Sequence, residues 1–334
     1  MPLLHVPVID LTPYREGTPK GKAAVAAQIS QACRDIGFLV VSGHGVPEDL
    51  VRRTHDVSKA FFELPHMEKM KIERPTVDQA RGYSAIGGEG LSYSLDEPTP
   101  PDIKESLSVG PIDVVSVDPY FTDAKAWPHF APNLWPANPA ELKPIWTEYF
   151  RALDSLSTDL MRLFALALDL DEHYFDRTID RDISVMRVLR YPKQTTEPLA
   201  GQLRAGAHSD YGSLTILRKE LADRSLQVKN KASEWVEVPV IEGSFIVNIG
   251  DLMQQWTNDT WISTMHRVVN PPLHSEENKD RISIVFFHQP NYDAIVECLP
   301  TCATQEYPPK YDAISSGDHL LGKFVKQTTF GKGI

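Results

Sequence analysis

The chain has few cysteines, no long apolar run and no block of basic residues, and each lack removes a class of function. Three cysteines, Cys33, Cys298 and Cys302, stand in 334 residues. So sparse and odd a set makes no disulfide framework and fits a reducing compartment. Cys298 and Cys302 form C-x3-C without a second pair, which leaves a structural zinc site short of ligands. No apolar run approaches the roughly 20 residues that span a bilayer. In the opening "MPLLHVPVIDLTPYREG", Asp10 interrupts a short apolar run before any cleavage-like site, so no signal peptide is expected. The formal net charge is -11, without clustered Lys and Arg, which argues against a nucleic-acid partner. No internal repeat is visible. The expectation is a soluble, cytoplasmic protein that meets a small molecule, with no membrane and no nucleic acid.

What is present is enough apolar residue, 42% of the chain, for a sizeable core. "VPVIDL" reads as a short strand. Val25, Ile29, Ala32 and Ile36 share one helical stripe over residues 20–36, ended by Gly37. "FLVVSGHG" reads as a buried strand, and "PEDLVRRTHDVSKAFFELP" as a helix with Pro47 in its first turn. Residues 76–136, rich in Gly, Ser and Pro, read as a long irregular stretch, either functional or a surface loop. The next helix has Asn138 as a candidate cap and Pro139 in its first turn. Its apolar face is Leu153, Leu156, Leu160, Leu163, Phe164 and Ala167. From residue 183 the period changes to two, and "ISVMRVLRYP", "GSLTILR", "SLQVKN", "WVEVPV", "SFIVNIG", "HRVVNP" and "RISIVFFHQP" are strand candidates. Many short strands at even spacing predict a mainly β sandwich or barrel with flanking helices. Residues 1–136 form an N-terminal α/β region with a substrate loop. Residues 137–334 hold the long helix and the β core, the two regions packing as one compact unit.

The segment "AGAHSDYGSLTIL" places His208 two residues before Asp210. On a strand, positions i and i+2 share a side, so the pair could ligate one ion. With 11 histidines and 45 acidic residues, about 1.5 His-x-Asp/Glu triplets arise by chance. The chain has three, the others being His66/Glu68 in a stretch that reads as helical and His274/Glu276 in a polar loop. Only His208/Asp210 leads into an apolar strand, though a solvated turn would also place such a pair there. His266, in "WISTMHRVVNP", supplies a third ligand, or else is a core histidine held by a hydrogen bond. Two histidines and one carboxylate that leave half an octahedral shell open are the facial set of non-haem Fe(II) oxygenases. In "RISIVFF", Arg281 and Ser283 share a strand face. A guanidinium directed into an apolar barrel calls for an anion, which it grips in bidentate fashion with the hydroxyl as a further donor. Tyr191 could donate to the same anion. The plainer reading of Arg281 is an ion pair at the strand's exposed start.

The order His-x-Asp, distant His, Arg-x-Ser resembles the Fe(II)- and 2-oxoglutarate-dependent dioxygenases of the isopenicillin N synthase-like family. "VPVIDL", "IGFLVVSGHGVP", "DIKESLSVG", "RYP", "AHSDYGSLTIL", "MHRVVNP", "RISIVFFHQP" and "YPPKYDAISSGDHLLGKF" follow in the family's order, so the resemblance covers most of the chain. It implies a double-stranded β-helix, a distorted jelly roll of the cupin-like kind, with helices outside. It implies Fe(II) on His208, Asp210 and His266, and 2-oxoglutarate as co-substrate, its far carboxylate on Arg281 and Ser283 with Tyr191 close by. O2 would be the oxidant, with succinate and CO2 released as a substrate C–H bond is oxidised.

In one respect the chain departs from the family. Many plant members carry Asn two residues before the tyrosine matching Tyr191, and Leu189 stands here. Arg187, two further back, shares its strand face, and "MRVLRYP" resembles a microbial branch that includes the ethylene-forming enzyme. Arg187 would touch co-substrate, a ligand aspartate or a charged substrate, or lie on the surface. Arg81, Tyr83 and Tyr93 in the 81–97 loop, Phe287 and His288 at a strand end, and Leu320 and Phe324 near the C-terminus are candidates for the substrate pocket or its surround. The alternatives are an iron oxidase or cyclase working without 2-oxoglutarate, an ethylene-forming enzyme, a zinc hydrolase (no H-E-x-x-H occurs) and an inactive binding module.

Overall fold

A computed structural model describes residues 5–76, 79–91, 99–115, 117–220 and 224–329. Among them, twelve strands build two main sheets. In chain order these are β1 (Val8–Asp10), β2 (Phe38–Ser42), β3 (Gly82–Ser84), β4 (Glu105–Val109), β5 (Val185–Tyr191), β6 (Ala205–His208), β7 (Leu214–Arg218), β8 (Leu226–Lys229), β9 (Trp235–Glu237), β10 (Phe245–Ile249), β11 (His266–Val268) and β12 (Arg281–His288). Eight run in the order β1-β2-β10-β7-β12-β5-β4-β3, and four in the order β6-β11-β8-β9. All pairings are antiparallel except β1 with β2.

The large sheet is buried on both faces, so its strands look almost uniformly apolar, yet period two divides them. Met186 and Val188 of β5, Leu214 and Ile216 of β7, Phe245 and Val247 of β10, and Ile282, Ile284 and Phe286 of β12 enter one core with the helices. The alternate residues, including Tyr191, Leu189 and Val285, turn toward the small sheet, where they meet Ala205 and Val268. Phe38, Val40 and Ile246 meet Leu226 and Val228 in the same way. The two sheets thus form a double-stranded β-helix whose interior carries polar residues such as Arg281 and Ser283.

Helices α1 (Pro19–Asp35), α2 (Glu48–Phe62) and α3 (Leu142–Ala167) cover the outer face. Val25, Ile29 and Ala32 of α1 are buried as the spacing predicts. So are Leu153, Leu156, Leu160, Leu163 and Phe164 of α3, while Ala167 is half-buried. Two short elements matter later: α4 (Asp251–Trp256) and α5 (Ser316–Thr329).

Three local expectations are corrected. Helix α3 begins at Leu142, with Glu141 at the capping position, so Asn138 does not cap it. The stretch 76–136 is not irregular throughout, since β3 and β4 add two strands to the large sheet. In β4, "ESLSV", serines alternate with apolar residues in a fully buried strand, which weakens the apolar signal. Finally, His208 closes β6 but Asp210 lies beyond it, in the turn before β7. The two are brought together by a turn and not by strand alternation.

Candidate metal centre and its pocket

Four backbone contacts fix the turn that follows His208. The Asp251 N–H at the start of α4 donates to the Asp210 carbonyl at 2.8 Å, and Leu252 N–H to that of Gly212 at 3.2 Å. Gly250 N–H donates to Ser213, whose own N–H donates to His288. The approach is close enough to need glycine twice. A Cβ on Gly250 would stand 2.3 Å from the Gly212 oxygen, and one on Gly212 would stand 2.3 Å from the His288 oxygen.

This turn sets Asp210 between two imidazoles. Asp210 Oδ1 lies 3.8 Å from His208 Nε2 and 3.7 Å from His266 Nε2. One potential ligand atom from each of the three residues falls within 4.8 Å of the others, and all three residues are buried. Residue His266 reaches the site because β11 pairs with β6, His266 opposite His208. Each ring is oriented from behind. His208 Nδ1 is 2.8 Å from the Gly206 carbonyl and His266 Nδ1 is 3.1 Å from that of Thr264. A proton on each Nδ1 leaves the Nε2 lone pair directed inward. Burial, then the neighbouring His266, pushes His208 down to about 3, so its ring is neutral. For Asp210 burial acts upward, but His266, His208, Asn248 and Thr215 outweigh it and hold the carboxyl below its usual range. Asn248 Nδ2 donates to Asp210 Oδ2 at 2.7 Å. Two imidazoles and a carboxylate, buried and aimed at one point, are a donor set that suits Fe(II).

A single pocket opens over this triad, about 1270 Å³ with its mouth included. That exceeds what one small ligand needs. Of the residues expected at the site, Arg281, Ser283, Tyr191, Arg187, Leu189, Phe287, Arg81, Leu320 and Phe324 line it together with His208, Asp210 and His266. The period-two interior of β5 and β12 accounts for six of them. Arg281 is not exposed at a strand start; it is 5% accessible. Its guanidinium lies over the Tyr191 ring at 4.8 Å and Nη1 donates to Ser225 Oγ. Burial first pushes it down to about 10, which leaves it charged at neutral pH.

Three candidates have other positions. Tyr83 is in the helix-side core, its hydroxyl donating to Glu105. The ring of His288 is buried against Ser213, with Nδ1 2.6 Å from its Oγ, and neither residue lines the pocket. Tyr93 lies outside the described residues. Arg81 does line the pocket, but its guanidinium donates to the carbonyls of Ala131, Ala80 and His129.

Several pocket residues carried no sequence signal of their own. Lys219, also in the lining, is pushed down to about 7, first by burial and then by Arg281. Lys104 lines the pocket with its Nζ 2.8 Å from Asp102 Oδ2. Asp102 is a junction: Oδ2 also accepts from Leu91 N–H at 3.1 Å, and Oδ1 from Gly206 N–H at 2.9 Å. "DIKES" marks the stretch, but nothing local says which strand its carboxylate meets.

Comparison with known proteins agrees with this geometry. Residues 183–290 match the 2OG-Fe(II) oxygenase superfamily, and residues 6–138 match the N-terminal region described as non-haem dioxygenase in morphine synthesis. A 2-oxoglutarate-Fe(II) type oxidoreductase, hxnY, of Emericella nidulans is 33% identical over 95% of this chain and 89% of its own. The chain belongs to the Fe(II)/2-oxoglutarate oxygenases. It is a 2-oxoglutarate-dependent non-haem iron dioxygenase of the isopenicillin N synthase-like class, with Fe(II) as metal and 2-oxoglutarate as co-substrate. A homoarginine-6-hydroxylase of Arabidopsis thaliana is 34% identical over 93% of this dioxygenase and 91% of its own length. Among solved structures, a full-length Neurospora crassa protein crystallised with alpha-KG and thymine superposes with a TM-score of 0.84, at 31% identity over 96% of each chain. The zinc hydrolase and the iron oxidase working without 2-oxoglutarate are thereby set aside. No helix among the described residues is long and apolar enough to cross a membrane.

Proposed function

We propose that His208, Asp210 and His266 hold Fe(II), that Arg281 with Ser283 and Tyr191 grips the far carboxylate of 2-oxoglutarate, and that the remaining pocket takes a small polar substrate whose C–H bond is oxidised. The overall reaction is R–H + O2 + 2-oxoglutarate → R–OH + succinate + CO2. Bound iron supplies the activation of O2. The chain's own residues do the rest. The three ligands would hold the metal beside the pocket that they line. Arg281, buried and charged, fixes one end of the co-substrate, and Ser283, two residues along the same face, adds a hydroxyl. Arg187, Leu189, Phe287, Leu320 and Phe324 surround the space left for substrate and limit its contact with water. The observation that carries this reading is one buried guanidinium sharing a pocket with the inward-facing triad.

Relatives that bind thymine or hydroxylate homoarginine support a small, polar, nitrogen-containing substrate. Three free cysteines support a reducing compartment, the cytoplasm. That β1–β4 hydrogen-bond into the large sheet supports residues 1–136 and 137–334 folding as one unit. The test is anaerobic titration with Fe(II) and then 2-oxoglutarate. A visible metal-to-ligand charge-transfer band is expected, and its failure to form would sink the assignment. A succinate-release screen over small metabolites then finds the substrate.

A further inference from the structure

The pocket wall continues one residue beyond β7. The pairing of β7 with β12 sets Thr215 opposite Phe287 and Leu217 opposite Val285. The next place in that row brings Lys219 opposite Ser283. The two chains stay side by side there, because Glu220 Oε1 accepts from the Ile282 N–H at 2.9 Å. Arg218, between the inward residues, turns away and donates to the Ser244 carbonyl at 2.7 Å and to Glu48 Oε2 at 2.8 Å. By this alternation Lys219 faces inward, and it lines the pocket with Ser283, Arg281 and Tyr191. On the other flank of β12, Tyr191 stands opposite Arg281. Lys219 is 6% accessible and Arg281 5%.

Two buried cationic residues therefore share one end of the pocket. Directly opposed residues of paired strands have Cβ atoms about 5 Å apart, and diagonal neighbours stand about 7–8 Å apart, within reach of long side chains. The heads of Lys219 and Arg281 can thus meet one ligand group lying over Ser283. Among the described residues the lining holds one carboxylate, that of Asp210, which faces the two histidines. An anion entering at the other end relieves the repulsion between the two cations. We propose that Lys219 is a second cationic partner of the co-substrate, its ammonium and the Arg281 guanidinium holding the far carboxylate of 2-oxoglutarate from neighbouring strands. The guanidinium supplies a flat fork of donors, and the ammonium a point charge on a flexible stem. Together they select a 2-oxo acid with a second carboxylate over one that ends in a methyl group. The proposal rests on the pocket being the Fe(II)/2-oxoglutarate site.

The test uses the full chain loaded anaerobically with Fe(II). Into it are titrated 2-oxoglutarate and 2-oxovalerate, which shares the chelating end but carries a methyl in place of the far carboxylate. If the wild type gives no charge-transfer band with 2-oxoglutarate, the assignment of the site fails, and not the role of Lys219 alone. With the band present, Lys219→Met should weaken 2-oxoglutarate about tenfold or more, as the loss of a charged hydrogen-bond partner does. The same variant should leave 2-oxovalerate within about threefold of wild type, so the preference between the two acids shrinks. A merely structural role would weaken both alike. Lys219→Gln keeps a polar head without the charge and should lose as much as Lys219→Met. It also carries the comparison if Lys219→Met does not load Fe(II). Equal losses for the two acids, a 2-oxoglutarate constant within twofold of wild type, or full affinity in Lys219→Gln would each overturn the proposal.

Discussion

At the scale of single residues, the metal ligands depend on partners that carry no charge. Asn248 donates to Asp210 at 2.7 Å and keeps its second oxygen from turning inward. Such outer contacts are worth roughly 10–100-fold in metal affinity. Asn248→Leu should therefore weaken Fe(II) binding by about that factor, measured by competition with a chelator, without unfolding the chain. Arg281→Met should raise the dissociation constant of 2-oxoglutarate roughly 30-fold or more, since losing a buried charged partner costs about 2 kcal/mol at least. The anaerobic charge-transfer titration reads this directly, and an unchanged constant would place the co-substrate elsewhere. His208, Asp210, His266 and Arg281 were legible because type and order coincide in them, with strand context added for all but Asp210. Asn248, Asp102, Lys104 and Lys219 were not. Each is an ordinary polar residue whose meaning comes from its partners in the fold, such as Gly206 for Asp102 and Asp210 for Asn248.

At the scale of elements, one strand shows how period two separates stability from function. Phe286 of β12 packs edge-on against Phe150 of α3 with ring centroids 5.0 Å apart and is fully buried. Phe287, the next residue, faces the pocket. Phe286→Ala should cost about 3–5 kcal/mol of stability. Phe287→Ala should move the melting temperature far less and change substrate affinity instead. Paired thermal denaturation and turnover assays decide it, and equal losses of Tm would contradict the division of faces. The strands of the second half were legible from their alternation. β3 and β4 were not, because serine on the inner face reads as loop when no partner strand is in view. The turn carrying Asp210 was misread as strand, since its shape is set by α4 and by the backbone of His288, neither of which is local.

At the scale of the whole molecule, stability is linked to pH through a carboxyl pair joining α3 to the segment before β5. Burial, then the charge of Asp182, raises Asp154 to about 7, and burial also raises Asp182. Between the ordinary carboxylate range and about pH 7 the folded chain thus binds more protons than the unfolded one. Stability contributed here is present at low pH and is lost as pH rises through that window. Asp154→Asn should remove the slope and raise Tm at pH 8 relative to wild type. Scans of Tm from pH 5 to 8 check this, and parallel curves for the two proteins would refute it.

The same scale gives Asp102 a consequence for engineering. One carboxylate pins the backbone of Leu91, the head of Lys104, and the peptide of Gly206 whose carbonyl orients His208. A chimera that takes the segment around Leu91 from another oxygenase cannot treat it as a detachable cassette. The workable exchange unit is that segment, Asp102 and β6 together, because altering one without the others would also tilt His208.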